Sequence, residues 1–474
     1  MRRLPAASRQ SKQNRNVTHG ANGVVQMEKL HNLKDCICSF DNLLGAYKNA
    51  AESKRYRDEV LAFTSKLEEN LFDIQQSLLN RTYKVGRYRE FYVQFPKPRL
   101  VMALGFRDRI VQWAIYRQLN PYVDKRYISH GYGCRDGMGT LAAAQQFCYW
   151  LRKIDRKPDA DEWFIIKGDI AKYFYRVDHQ KALETYAAIT DDEWFLWLIG
   201  TIIDNPYVPF GLPDGMSIDN CPREKRLYDV GMPIGNLSSQ STANLFLNRL
   251  DQYCKHVLHI RYYIRYMDDF VILIRGKREA ERILAVISDF LRDELLLRIS
   301  PKSVIMPAKG GCEFVGCRIS PHGIRIRKKT ERHVKHALKH VADQYAAGEV
   351  TLEHCLQIVG SYMGLTLHKN GFNLRRWIEE NIVFQRKEDI MKIPDATAPP
   401  TAEGRHFYAI DPQADGTVDV YLNPNITVYD TDTGVREYDA RVRVVRGVVP
   451  FDGMEEDIRA RFDAWCESAE VIDL

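Results

Sequence analysis

No apolar run in this sequence approaches the ~20 residues that a membrane-spanning helix needs. The N-terminus has no signal-peptide core either. We therefore expect a soluble, cytoplasmic protein with no membrane partner. The chain has ten cysteines but no zinc-like arrangement of them. One residue separates Cys36 from Cys38, four separate Cys312 from Cys317, and neither pair recurs. That pattern argues against structural zinc and for buried thiols in a reducing compartment. Lysine is absent from Glu403 onward, where 16 acids face 7 arginines, a balance of −9. Acids, in turn, are absent from residues 1–27, which hold Arg2, Arg3, Arg9, Lys12 and Arg15 and read as a disordered basic arm.

The chain has 474 residues, enough for about three domains at roughly 150 residues each. Its net charge is +6, so the 402 residues before the acidic end carry +15. A body this basic suits a polyanionic partner, because clustered Lys and Arg neutralise phosphates. A basic surface kept for solubility is the competing explanation. In the N-terminal part Val60, Phe63, Leu67, Leu71, Ile74 and Leu78 recur at steps of three and four, the mark of helices with one apolar face. Tyr92 to Met102 reads as a strand pair pinched at Pro96 and Pro98, with a helix opening at Phe106. Lys97 and Arg99 near that bend could hold a triphosphate, or serve as ordinary edge-strand charge. The glycine-rich stretch Ser129–Thr140 leads into a helix over Leu141–Trp150, but its spacing fits neither Walker nor Rossmann patterns.

Two stretches carry the chemistry. Ile264 to Leu273 places Asp268 and Asp269 between two β-branched and aromatic arms, the pattern of a hairpin tip. Adjacent carboxylates repel, and a divalent cation with hard oxygen ligands would relieve them. Two acids adjoining in a plain surface turn is the alternative for that stretch alone. Trp163–Asp169 is an apolar strand that ends in a carboxylate. If the two strands lie side by side, Asp169 and Asp268 make a site for two Mg2+ ions, roughly 3.5–4 Å apart in such centres. Phe174, five residues beyond Asp169, could then lie beneath a nucleotide's sugar. An irregular insertion over residues 203–230 precedes Pro233-Ile234-Gly235 and a helix that begins with Ser and Gln.

In order, Asp-Ile-x-x-Tyr-Phe, Pro-x-Gly into a Ser/Gln-rich helix, Tyr-Met-Asp-Asp, Leu296–Ser303 and Cys312–Cys317 resemble the palm of a reverse transcriptase. The resemblance runs over roughly residues 35 to 385. It implies an α+β right-hand polymerase fold, with fingers, a palm built on an antiparallel sheet, and a helical thumb. The implied divisions are helices and fingers over 28–165, palm over 166–322 and thumb over 323–392. A linker over 393–402 and an acidic α+β module over 403–474 follow. Asp169, Asp268 and Asp269 resemble the catalytic metal-binding acids, assisted by the Ile170 carbonyl. Lys302 resembles the general acid for departing pyrophosphate. Lys97 and Arg99 resemble the cations that clasp the incoming nucleotide. Phe174 resembles the steric gate against the ribose 2′-hydroxyl, and Pro233, Ile234, Gly235 and Gln240 resemble the remaining nucleotide site. Phe314 and Gly316 resemble the hairpin that positions the primer end. A basic helix from Arg325 to His340, with Thr351–Trp377, resembles the thumb.

One departure narrows the likeness. Most reverse transcriptases have Gln where this chain has Ile234, and Ile-Gly-Asn-x-x-Ser-Gln resembles the enzymes of diversity-generating retroelements. That resemblance implies error-prone copying at adenines from a template RNA onto a cDNA primer, with deoxynucleoside triphosphates as substrates and a small basic accessory protein as partner. A phage-defence reverse transcriptase is the second reading, and a catalytically silent RNA-binding scaffold the third. In the acidic end, strands are expected over Thr417–Leu422, Ile426–Tyr429 and Tyr438–Val445, and a helix over Met454–Ser468. Asp430–Gly434 reads as a hairpin turn rather than a calcium loop, since it lacks the remaining ligand spacing.

Overall fold

A computed structural model describes residues 29–93, 99–204, 209–367 and 369–386, together with the backbone of five strands between 408 and 448. It divides into two compact units, Met1–Ala143 with Arg156–Ala308, and Ala144–Asp155 with Lys309–Leu474. The basic arm, the linker and the expected helix over Met454–Ser468 lie outside the described residues. Among the described residues no helix is long and apolar enough to cross a membrane.

The first unit opens with four helices, α1 (Leu33–Cys38), α2 (Phe40–Ala51), α3 (Asp58–Thr64) and α4 (Leu67–Leu79). Their periodic face is broken between α3 and α4, yet Val60, Leu71, Ile74 and Leu78 from it are buried. β1 (Arg89–Val93) and β2 (Arg99–Ala103) then pair antiparallel, and α5 (Phe106–Val123) follows. α6 (Thr140–Asp155) enters the second unit at Ala144.

The central sheet takes its strands from distant parts of the sequence. β3 (Trp163–Asp169) is followed by α7 (Tyr173–Arg176), α8 (His179–Ala187), α9 (Glu193–Ile203) and α10 (Leu237–Gln252). β4 (Tyr262–Tyr266) and β5 (Asp269–Arg275) make the hairpin, and α11 (Lys277–Leu295) leads to β6 (Val304–Pro307). The order is β4-β5-β3-β6, antiparallel throughout. β3 and β5 are buried on both faces, which is why each reads as a nearly continuous apolar run rather than an alternation. α11 lies against β3, β5 and β6 with Ala280, Ile283, Ile287, Leu291 and Leu295 on one face. It stops at Leu296, which turns left-handed at φ 54° while the Leu297 N–H reaches back to the Leu291 carbonyl.

The second unit holds a three-stranded antiparallel sheet, β7 (Cys312–Phe314), β8 (Cys317–Ser320) and β9 (Gly323–Ile326). Three helices follow, α12 (Lys328–Ala346), α13 (Leu352–Leu367) and α14 (Phe372–Asn381), sharing a core that includes Val334, Leu338, Val359 and Leu374. The basic helix thus starts at Lys328 rather than Arg325, because Arg325 pairs with Arg318 in the sheet. Toward the acidic end, β10 (Tyr408–Pro412), β11 (Val418–Leu422) and β14 (Val442–Val448) form one sheet, while β12 (Asn425–Asp430) and β13 (Gly434–Asp439) form a hairpin. The single strand expected over Tyr438–Val445 is therefore two, and β10 was not anticipated. The fold class is the mixed α+β arrangement, with its antiparallel central sheet, that the resemblance implies.

Candidate active site

β3 ends at Asp169, and the register sets that residue opposite Asp269 at the start of β5. Residues directly opposite in an antiparallel pair share a face of the sheet. Tyr266 pairs with Asp269, so Met267 and Asp268 alone form the turn of the β4–β5 hairpin. Glycine at position 168 makes the approach possible. A Cβ there would stand 2.0 Å from the Phe270 ring, so any other residue would displace that buried ring or the strand that carries it.

Asp268 is half-buried, and burial pushes its carboxyl above the usual range. The Asp169 charge adds to that rise, while a backbone hydrogen bond and the fields of Arg99 and Arg265 oppose it. The structure thus brings Asp169, Asp268 and Arg99 within electrostatic reach of one another.

Asp169 is clasped by the turn that ends the Leu296–Ser303 motif, through two serines to which the sequence reading gave no role. Ser303 Oγ accepts from the Asp169 N–H at 3.0 Å, and the Ser300 N–H donates to the Asp169 carbonyl at 2.7 Å. Ala171 donates to the Arg298 carbonyl at 2.9 Å, bridging Ile170 to Ile299 without using the Ile170 carbonyl. Lys302 sits exposed in this same turn.

The nucleotide-site residues are tied together through backbone. The Met232 N–H donates to the Phe174 carbonyl at 2.6 Å, and the Met102 N–H donates to the Ile234 carbonyl at 2.9 Å. Gly235 takes φ 114°, and a Cβ on it would lie 2.8 Å from Val101 Cγ1. The Pro233-Ile234-Gly235 turn therefore seats directly on the strand that carries Arg99. Gln112 on α5 accepts from the Leu237 N–H at 3.1 Å and so caps α10 from outside. The insertion joins them, with Phe210 packed against Leu100 and Met102 and the Leu212 N–H on the Tyr175 carbonyl. Gln240 faces an open cleft of about 340 Å³ whose walls include Tyr116, Cys134, Asn244 and Tyr266. Lys97 lies outside the described residues. Phe314 and Gly316 belong to the second unit, where they flank and form the β7–β8 turn.

Sequence reasoning missed two supports of the Asp268 turn. The start of the glycine-rich loop packs on protein, while Cys134 and Met138 line the open cleft. Its Gly131 bridges to Arg265, and a Cβ on Gly133 would lie 2.9 Å from the Met267 nitrogen. Arg265 itself is buried and paired to buried Asp251. Burial opposes the Arg265 charge, but the Asp251 carboxylate overrides it and holds the guanidinium above its ordinary pKa. The two residues stand 14 positions apart, on different element types, which left no local signal.

Among the described residues no three His, Cys, Asp or Glu side chains form a finished metal cluster. The donors nonetheless suit a hard divalent cation, since they are carboxylate and carbonyl oxygens. The raised Asp268 carboxyl is the observation that carries the fit, because a cation there would relieve the cost of charge beside Asp169.

Residues 94–319 match the family model described as reverse transcriptase (RNA-dependent DNA polymerase). Protein YkfC of Escherichia coli is 25% identical over 306 residues, covering 56% of this chain and 74% of that protein. The COX1/OXI3 intron 2 protein of Saccharomyces cerevisiae is 23% identical over 268 residues, covering 44% of this chain and 29% of that protein. Among solved structures, telomerase from Candida albicans in complex with a TWJ fragment of telomeric RNA aligns at TM-score 0.36 and 11% identity. That alignment covers 65% of this chain and 57% of the telomerase chain, and a likeness so loose establishes nothing further.

Proposed function

Given that the chain carries a reverse transcriptase domain, the domain of RNA-directed DNA polymerases and hence of nucleotidyltransferases, we propose that it copies a template RNA into cDNA with low fidelity at adenines. Asp169 and Asp268, with Asp269 and the Ile170 carbonyl, would hold two Mg2+ ions. Such ions, when bound, acidify the primer 3′-hydroxyl and neutralise the departing pyrophosphate. Arg99 forks onto the triphosphate, joined by Lys97 as a point charge. The Phe174 ring lies under the sugar, where a 2′-hydroxyl would clash. Lys302 protonates the leaving group, and Phe314 and Gly316 position the primer end. α12 to α14 act as the thumb on the duplex backbone.

The observation that carries the polymerase reading is the Asp169–Asp269 register with Asp268 in the adjoining turn. The low-fidelity reading rests on Ile234. The Ile234 carbonyl accepts from the Met102 N–H on the strand that carries Arg99, which supports a place beside the nucleotide for this aliphatic side chain, where most reverse transcriptases have Gln. Losing a hydrogen bond from that amide to the nucleotide loosens geometric selection. A diversity-generating retroelement, with its small basic accessory protein, fits that property. The test is extension of a primer on an RNA template with deoxynucleoside triphosphates and Mg2+, followed by sequencing of the products. Errors gathered at template adenines support the proposal. Accurate copying would remove the retroelement assignment and favour the defence role. RNA binding without extension would leave the scaffold reading.

A further inference from the structure

We propose that Arg265 is a positioning residue for the catalytic turn, fixed by Asp251 and setting where Asp268 stands against Asp169. The inference rests on the polymerase reading above. The Arg265 guanidinium is almost fully committed within the protein. Nε and Nη2 donate to Asp251 Oδ1 and Oδ2 at 2.7 and 2.6 Å, and Nη2 also reaches the Asn244 carbonyl at 3.3 Å. Nη1 donates to the Met267 carbonyl at 3.1 Å. That carbonyl belongs to the peptide bond joining Met267 to Asp268.

Met267 needs such a brace. Its φ is 54°, a region that residues other than glycine adopt only under constraint. Gly133 closes the turn from another side, in a space that no Cβ would share. Arg265 itself has no slack. Its N–H donates to the His130 carbonyl at 3.1 Å, and its carbonyl accepts from Tyr132 at 2.9 Å. Asp251 is held in turn by the Tyr263 hydroxyl at 2.7 Å.

Stability alone does not account for the pair. Arg265 is 1% exposed and Asp251 0%, so both charges are fully desolvated. Replacing a buried ion pair with apolar residues of similar volume often leaves a fold as stable as before. An apolar pair would offer nothing to the Met267 carbonyl, and a lysine could not bind the carboxylate and reach the carbonyl together. The pair also links two parts of the site. Asp251 and Asn244 both lie on α10, the helix that begins just after the Pro233-Ile234-Gly235 turn. One guanidinium therefore fixes the metal-side turn to the helix of the nucleotide side.

The experiment compares full-length wild type, Arg265→Lys and the paired Arg265→Met/Asp251→Leu. Each is followed by thermal melting, by Mn2+ titration without primer or nucleotide, and by single-nucleotide extension on an RNA template. The paired variant should melt close to wild type. Its Mn2+ affinity should weaken about tenfold and its kcat should fall about 100-fold, with the nucleotide KM within about twofold, since a misplacement of about 1 Å is enough for such a loss. Arg265→Lys should move in the same direction. A folded variant with wild-type Mn2+ affinity and kcat overturns the proposal. Should the paired variant fail to fold, Arg265→Lys decides on the same readouts. Should wild type extend no primer, the polymerase reading falls, while the Mn2+ titration still decides whether Arg265 positions the acids.

Discussion

Among the described residues two tight hairpins have two-residue tips that hold a residue other than glycine at positive φ, and they are built to opposite standards of support. At the β4–β5 tip Met267 takes φ 54°, and at the β7–β8 tip Val315 takes φ 42° with Gly316 at 79°. The first tip lies in a four-stranded sheet, with a buried ion pair below it, a glycine loop against its backbone and a second clasp on its neighbour Asp169. The second projects from a three-stranded meander. At its base Phe314 is buried edge-on against Phe147 and Cys317 is buried beside it, its Sγ donating to the Val315 carbonyl at 3.8 Å, while a Cβ on Gly316 would meet nothing closer than Arg327 at 3.9 Å. Similar local backbone therefore serves two purposes. The proposed roles account for the difference: carboxylates proposed to hold metal at fixed separation need support from every side, whereas a tip proposed to rest on a primer needs only its base.

The largest effect separating the two tips is chemical. Asp268→Ala should abolish primer extension, a loss of about 1000-fold or more, because metal-held charge supplies several kcal/mol to such transition states. No substitution at Val315 or Gly316 should do the same in single-turnover extension. Next comes the packing contrast. Gly133→Ala puts a methyl 2.9 Å from the Met267 nitrogen and should cut kcat by roughly 10–100-fold through displacement of the turn. Gly316→Ala meets no such obstacle and should cost about 1 kcal/mol of backbone strain, read as a lower melting temperature and a weaker primer KM. Equal kcat losses from both would show that the β4–β5 turn is not specially braced. A smaller effect belongs to Ile234→Gln, expected to lower misincorporation at template adenines by about tenfold, the worth of one hydrogen bond to substrate. Unchanged error rates would detach fidelity from that position.

The parts legible in the sequence were those whose signal is local. Ile264–Leu273 declares two strands and a turn within ten residues, and Trp163–Asp169 declares a strand and its end. That β3 and β5 pair with the acids level could only be posed as a condition, and the structure meets it. The braces were not legible, because each joins distant positions. Arg265 reads as one polar residue in an apolar strand, and Ser303 ends the Leu296–Ser303 motif with nothing to tie it to the Asp169 N–H, 134 residues away, that it receives. Nor does the glycine spacing announce that Gly133 meets the Met267 turn or that Gly131 bridges to Arg265. In the acidic end, even alternation across Tyr438–Val445 hid the break between β13 and β14, since Asp439-Ala440-Arg441 contains neither Gly nor Pro.

The same contrast has a pH signature. Asp268 has its carboxyl raised above the unfolded value, first by burial and then by Asp169. Between its unfolded and folded pKa values the folded protein binds more protons than the unfolded chain, so this group's stability is present at low pH and lost as pH rises through the folded value. At neutral pH without divalent metal, an ionised Asp268 therefore destabilises the fold. Asp268→Asn removes that charge at nearly constant shape, and should raise the metal-free melting temperature by a few degrees near neutral pH. Below the ordinary carboxylate range, where wild-type Asp268 is protonated in both states, the gain should vanish. Added Mg2+ should narrow the difference at neutral pH, because it stabilises only the chain that keeps the carboxylate. Glu313, an exposed carboxylate on β7, supplies the control. Glu313→Gln should leave melting unchanged across the same range, and a gain as large as that of Asp268→Asn would mean that the turn stores no special electrostatic cost.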